Sequence, residues 1–135
     1  MTPLETISAD LATDASWSSQ GGVHWLPIDA SHIRAVAETM NRLHARFVTI
    51  TATELPGSEG FLLEYLWDLD GVLVGFPIHI AGSTVESIFD LCPAVDWIER
   101  EIHEGFAIDF SGRDYEPLLL RAGDKPGVNL REVPA

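Results

Sequence analysis

Between Pro93 and Gly112 the chain reads PAVDWIEREIHEGFAIDFSG, and Glu99, Arg100, Glu101, His103 and Glu104 fall within six consecutive positions of it. Three kinds of chemistry use such residues. A metal site would take Glu99 and His103, which are four apart and so share one face of a helix. Against that, Arg100 stands three before His103, where a Glu-x-x-His pair needs a carboxylate, and its charge opposes a cation. An acid/base site would use Glu101 and Glu104, neighbours on a helix whose repulsion raises one pKa, although Arg100 and a protonated His103 offset that repulsion. The chain also lacks a G-x-S-x-G elbow, a Walker-type glycine loop and a Cys/His pair at recognisable spacing. The third use is docking, in which the charges orient the helix and meet a partner.

Each of these needs a helix to hold the cluster. Val95, Ile98, Ile102 and Phe106 recur at spacings of three and four, with Pro93 suited to a first turn, so the segment after Pro93 reads as an amphipathic helix. Trp97 lies about 100° around the helix from Ile98, on the border between the apolar stripe and the charged surface. An earlier helix is expected over Asp29–Ala45, from Ile33, Val36, Ala37, Met40 and Leu43, with Asp29 or Ser31 as cap.

The strands come from the other periodicity. RFVTITATEL, rich in β-branched residues and closed by Pro56-Gly57, reads as one strand. EGFLLEYLWDLDGVLVGFPIHIAG reads as a long hairpin about Asp70-Gly71, the preferred pair for a two-residue turn. Counting outward pairs Leu69 with Val72, Trp67 with Val74, Tyr65 with Phe76, Leu63 with Ile78 and Phe61 with Ile80 on one buried face. The other face, with Leu62, Glu64, Leu66, Asp68, Leu73 and His79, is mixed. Glu64 and Pro77 form a non-hydrogen-bonded pair in this register, which places Pro77 near an edge or a bulge. VHWLPI reads as a short edge strand, STVESIFDL as a short helix or turn, and LLLR at 118–121 as one more short strand.

The bulk numbers bound the rest. A chain of 135 residues makes one domain with a real core. Its 21 Asp and Glu against 8 Lys and Arg give a net charge of −13, which disfavours phosphate backbones and anionic lipid surfaces and suits basic protein partners. Trp17, Trp25, Trp67 and Trp97 form no stacking array with cations, and Lys125 is the only lysine, so single-stranded nucleic acid is a poor ligand. A single cysteine, Cys92, permits no internal disulfide and fits a reducing compartment. His24, His32, His44 and His79 are scattered singly. MTPLETISADLATD lacks the basic start and apolar run of a signal peptide, and the most apolar stretch is broken by Glu64, Asp68 and Asp70, so no membrane insertion is expected.

The run from Pro93 to Gly112 resembles the signature of the NADH-dehydrogenase family that supplies the thirty-kilodalton subunit of respiratory complex I, whose relatives include small subunits of energy-converting hydrogenases. Pro93, Ala94, Trp97, Glu99, Arg100, Glu101, Glu104, Phe106, Ile108, Phe110 and Gly112 carry the resemblance, and the RFVTITA strand, the hairpin and VESIFDL precede them in the family's order. The chain departs from the pattern at Ala107, where the family has Gly, and at Arg113-Asp114, where it has His-Pro. Tyr115-Glu116-Pro117 replaces a basic run, and only Leu130-Arg131 is left of the closing motif.

Elements and resemblance together predict an α+β fold: a two-layer α/β sandwich, with a mixed sheet around a central antiparallel hairpin and two main helices on one face. The expected divisions are a flexible arm over 1–22, the folded domain over 23–112 and an extended tail over 113–135. The resemblance implies a non-catalytic structural subunit, without cofactor or metal, in the peripheral arm of a complex I-like NADH:quinone oxidoreductase or an energy-converting hydrogenase. It implies docking onto the hydrogenase-like large subunit beside an iron–sulfur subunit, on the cytoplasmic side of the membrane. Trp97, Glu99, Arg100, Glu101, Glu104, Phe106, Phe110 and Gly112 would be the docking or motif residues, with Glu99, Arg100 and Glu101 buried at or beneath a subunit boundary. The alternatives are a free-standing acidic protein-binding module and a small enzyme with a carboxylate/His site on the same helix.

Overall fold

The computed structural model describes residues 2–121 and 123–130, so the end of the expected tail, with Arg131, lies outside the described residues. Three helices, α1 (Pro3–Leu11), α2 (Ile33–Arg42) and α3 (Asp96–Phe106), accompany seven strands, β1 (Ser18–Gln20), β2 (Val23–Trp25), β3 (Arg46–Glu54), β4 (Phe61–Leu69), β5 (Val72–Ile80), β6 (Thr84–Glu86) and β7 (Asp109–Ser111). Five strands form a mixed sheet in the order β1-β2-β5-β4-β3, and β6 and β7 pair in parallel as a second, two-stranded sheet. The α+β class holds, with α2 and α3 as the main helices packed on the sheet.

The β4–β5 hairpin has the register that the turn dictates. Leu69 pairs with Val72, Trp67 with Val74, Tyr65 with Phe76, Leu63 with Ile78 and Phe61 with Ile80. Alternation then puts Leu63, Tyr65, Trp67, Val74, Phe76 and Ile78 in the core with Ile33, Val36, Ala37 and Met40 of α2 and Ile102 of α3. Aromatic edges lock the centre: the Trp67 ring lies 5.8 Å from Phe76 and 5.5 Å from Phe47, both edge-on. The opposite face is half-covered. Trp25 lies over Gly75, where a Cβ would come within 2.5 Å of the indole, so only glycine fits beneath it.

Pro77 is accommodated without being at the edge. β5 sits between β4 and β2, but the β2 ladder ends at Trp25 opposite Gly75. Beyond it the Ile28 N–H donates to the Pro77 carbonyl at 3.1 Å, so the neighbour asks Pro77 for an acceptor and never for the N–H it lacks.

Several local expectations are corrected. The segment 1–22 is not a loosely held arm throughout: α1 folds over Pro3–Leu11 with a reciprocal Thr2/Glu5 capping box, buries Ile7 completely and is tied to α2 by an Asp10–Arg42 ion pair at 2.8 Å. Its connection to β1 packs as well, with the Trp17 indole N–H donating to Ser8 Oγ at 2.8 Å. STVESIFDL holds the strand β6, paired with β7 more than twenty residues away, rather than a helix. LLLR forms no strand, because its amides are taken by a side chain of α3, described below. The helix expected over Asp29–Ala45 begins as a 3-10 turn at Ala30–His32, capped by Asp29, and its α-helical part ends at Arg42.

α3 follows a 3-10 turn at Pro93–Val95 and stops at Ala107, which adopts the left-handed conformation with φ 56°. This is the position where the resembled pattern has glycine. That conformation costs an L-residue with a Cβ about 1 kcal/mol, a penalty glycine escapes. Ala107→Gly is therefore expected to stabilise the chain by about 0.5–1 kcal/mol. Urea unfolding checks it, and a destabilised variant would contradict the reading of Ala107 as a strained cap.

Candidate docking site

α3 is amphipathic, but its buried side is not purely apolar. Beside Ile102, the helix buries two carboxylates, Glu99 and Glu104. A buried charge is costly unless hydrogen bonds and a counter-charge surround it, so their partners decide what the cluster is for.

Glu99 is fully buried. Its carboxylate accepts from Ser87 Oγ at 2.6 Å, from the Ile88 backbone N–H at 3.1 Å and from Arg113 Nη1 at 3.2 Å. Arg113 in turn donates to Asp96 Oδ1 at 2.6 Å. Its guanidinium is sandwiched, 4.6 Å from the Phe89 ring centre and 5.0 Å from that of Tyr115. Four pieces of chain meet here: the segment after β6, the start of α3, its second turn and the segment after β7.

Burial pushes the Glu99 carboxyl above its usual range, against the hydrogen bonds from Ser87, Ile88 and Arg113. The Arg113 guanidinium beside Asp96, with Arg100 behind it, holds that carboxyl below the usual range. Arg113 itself stays charged, because Asp96 and Glu99 outweigh its burial. Tyr65 points a buried hydroxyl that has no hydrogen-bond partner into the same region, and burial together with the Glu99 charge pushes its phenol up.

Glu104 does a different task. Its two carboxylate oxygens accept from the backbone N–H groups of Leu118 at 2.7 Å, Leu119 at 2.7 Å and Leu120 at 2.9 Å. Burial alone would raise its pKa, but the three amides together outweigh burial and hold it low. The Gly127 N–H donates to the Glu104 carbonyl at 2.8 Å. Arg100 completes the strap, donating to the carbonyls of Glu116 at 3.2 Å and Pro117 at 3.3 Å and to Asp96 at 3.1 Å. The tail is thus sewn along α3.

The Glu99-Arg100-Glu101 triplet does not act as one unit. Glu99 points into the core, Arg100 reaches sideways to the tail, and Glu101 is exposed. Trp97 is 60% exposed. Phe106 is half-buried, edge-on to Phe61 at 6.0 Å, and Phe110 lies in the core. Gly112 turns the chain after β7 with φ 89°. His103 stacks on Tyr115 at 3.8 Å and donates from Nδ1 to the Ile108 carbonyl at 2.9 Å, so its ring braces the tail.

Arg113, Asp96, Ser87 and Tyr115 do not stand out in the sequence. One signal points to the first of them: a glutamate on the inward side of a helix requires a cation, and Arg113 follows directly after the motif.

A cleft of about 320 Å³ opens beside this network, lined by Phe89, Asp96, Arg100, Arg113, Asp114 and Glu116. Its arginines are already engaged with Asp96, Glu99 and tail carbonyls. Ser87, the hydroxyl nearest a carboxylate, is itself buried and offers no nucleophile to the cleft. Among the described residues no three His, Cys, Asp or Glu side chains are arranged to hold a metal ion, and no helix is long and apolar enough to cross a membrane. The arrangement orients segments of chain.

The family model described as "Respiratory-chain NADH dehydrogenase, 30 Kd subunit" matches residues 26–132, a stretch that includes the Pro93–Gly112 run and the strand and hairpin before it. Among solved structures, a chain of the membrane-bound sulfane sulfur reductase, an archaeal respiratory membrane complex, superposes with a TM-score of 0.77 at 19% identity, over 91% of this chain and 76% of that one. The trypsin-resistant fragment of Nqo5 superposes with a TM-score of 0.69 at 19% identity, over 84% of this chain and 100% of the fragment. At that identity the likeness is one of fold. No curated protein matches the chain.

The network makes a prediction with a definite sign. Because the folded-state pKa of Glu99 is raised, its contribution to stability is fully present below the ordinary carboxyl range and is lost as pH rises through the raised value. Arg113→Met strands the Glu99 charge and raises that value further. The variant is expected to lose about 3 kcal/mol or more at pH 7 and clearly less at pH 4, where Glu99 is protonated. Urea unfolding across that range tests it; a loss independent of pH would mean that Arg113 acts through packing alone.

Proposed function

We propose, because the chain belongs to the respiratory-chain NADH dehydrogenase 30 kDa subunit family, that it is a non-catalytic structural subunit of the peripheral arm of a complex I-like oxidoreductase or energy-converting hydrogenase. It docks onto the hydrogenase-like large subunit, beside an iron–sulfur subunit, on the cytoplasmic face of the membrane, and holds no cofactor of its own. The reductase chain of similar fold belongs to a respiratory membrane complex, which supports the assembly part of this reading.

The observation that carries the docking part is the division of labour on α3. Glu99, Arg100 and Glu104 are consumed by internal bonds that fix the helix and tail, while Trp97 stays exposed. Three of the four exposed large apolar side chains, Trp97, Leu119 and Val128, lie on α3 or the tail strapped to it, and only Val48 lies elsewhere among the described residues. An exposed tryptophan on a rigid, doubly anchored helix is a common centre for an interface.

The test is purification of the native assembly through a tag on this chain, followed by native mass spectrometry. The expected result is co-purification with a hydrogenase-like large subunit and an iron–sulfur subunit in a membrane-attached particle. A monomer with unrelated partners would instead mark a free-standing acidic binding module and contradict the proposal.

A further inference from the structure

Trp97, Glu101 and Glu104 lie four and three residues apart and form one stripe along α3. The tail covers the Glu104 end. What remains outward is Trp97, 60% exposed, and Glu101 one turn further on, with exposed Pro93 and Ala94 leading into the helix.

Neither side chain is used by its own chain. Among the described residues, Trp97 makes no hydrogen bond or ring contact and Glu101 makes no hydrogen bond or ion pair. Arg100, the adjacent cation, is turned away to Asp96 and the tail carbonyls. Arg34, Arg42, Arg46 and Arg113 are likewise paired with carboxylates. With a net charge of −13, the chain has no surplus of cations to bring here. For the same reason a second copy, equally acidic and with its arginines spent, is a poor occupant.

We propose that the partner presents an arginine to this site, its guanidinium lying flat on the Trp97 indole and its N–H edge paired with the Glu101 carboxylate. A planar guanidinium satisfies both groups at once: it stacks on an aromatic face and donates two parallel hydrogen bonds to a carboxylate, and an ammonium does neither as well. The side chains of residues four apart on a helix project from points about 5–6 Å apart, which one guanidinium spans. The proposal rests on the reading that the chain docks through α3, and it adds the chemistry of the partner's contact.

The experiment measures binding between the full-length chain and the large subunit that co-purifies with it, for the native chain, Trp97→Phe, Trp97→Ala, Glu101→Gln and the double variant Trp97→Ala/Glu101→Gln. Unfolding midpoints report whether each variant folds; both positions are exposed, so all are expected to match the native chain. Trp97→Ala and Glu101→Gln are each expected to weaken binding roughly tenfold, and Trp97→Phe less than Trp97→Ala. Because both groups share one arginine, the double variant is expected to bind little worse than Trp97→Ala alone. Independent losses that multiply, or a loss from only one of the two positions, would overturn the shared arginine while leaving docking through α3 in place. Unchanged binding in every variant would overturn it and move the docking surface off this stripe. Absence of any hydrogenase-like subunit from the wild-type purification would overturn both readings.

Discussion

A carboxylate with no access to water organises this half of the molecule. Glu99 is reachable only by the Ser87 hydroxyl, the Ile88 amide and the Arg113 guanidinium, which come from segments distant in sequence. Satisfying it fixes the loop after β6, the rotation of α3 and the path of the chain after β7 in one arrangement. A leucine in its place would pack the core as well and specify none of this geometry. We read the buried pair as a device of orientation, kept at some cost in stability.

The second carboxylate extends the same logic outward. Glu104 gathers three consecutive amides of a segment that has no strand or helix to satisfy them, so a piece of tail without secondary structure becomes a strap with a definite path. His103 and Tyr115 stack beneath it and Arg100 ties its start. With its inward and lateral groups committed, α3 presents Trp97 and Glu101 on a support that is already rigid. Such a surface loses little entropy when a partner settles on it.

Much of this is legible in the residues. The Asp70-Gly71 turn fixes the hairpin register by counting, and the three-to-four spacing after Pro93 locates α3; both are local rules with short range. What escapes is long-range or masked by composition. The β6–β7 pairing is only three residues long on each side and joins segments far apart, so no periodicity announces it. The T-x-x-E box at Thr2–Glu5 does announce α1, but the Ser, Thr and Asp around it read as a loose arm. Glu99 and Glu104 look like solvent-facing charges because hydropathy cannot tell a carboxylate in water from one surrounded by amides and a guanidinium. Arg113 looks like a departure from a family pattern, and in this fold it is the counter-charge that lets Glu99 be buried.

Carboxyl labelling with a carbodiimide and a small amine, read by mass spectrometry on the isolated chain and on the native assembly, tests the division of α3 into an inner lock and an outer contact. The account predicts that Glu99 and Glu104 stay unlabelled in both samples, while Glu101 labels in the isolated chain and is protected in the assembly. Labelling of Glu99 in the isolated chain, or equal labelling of Glu101 in the two samples, would contradict it.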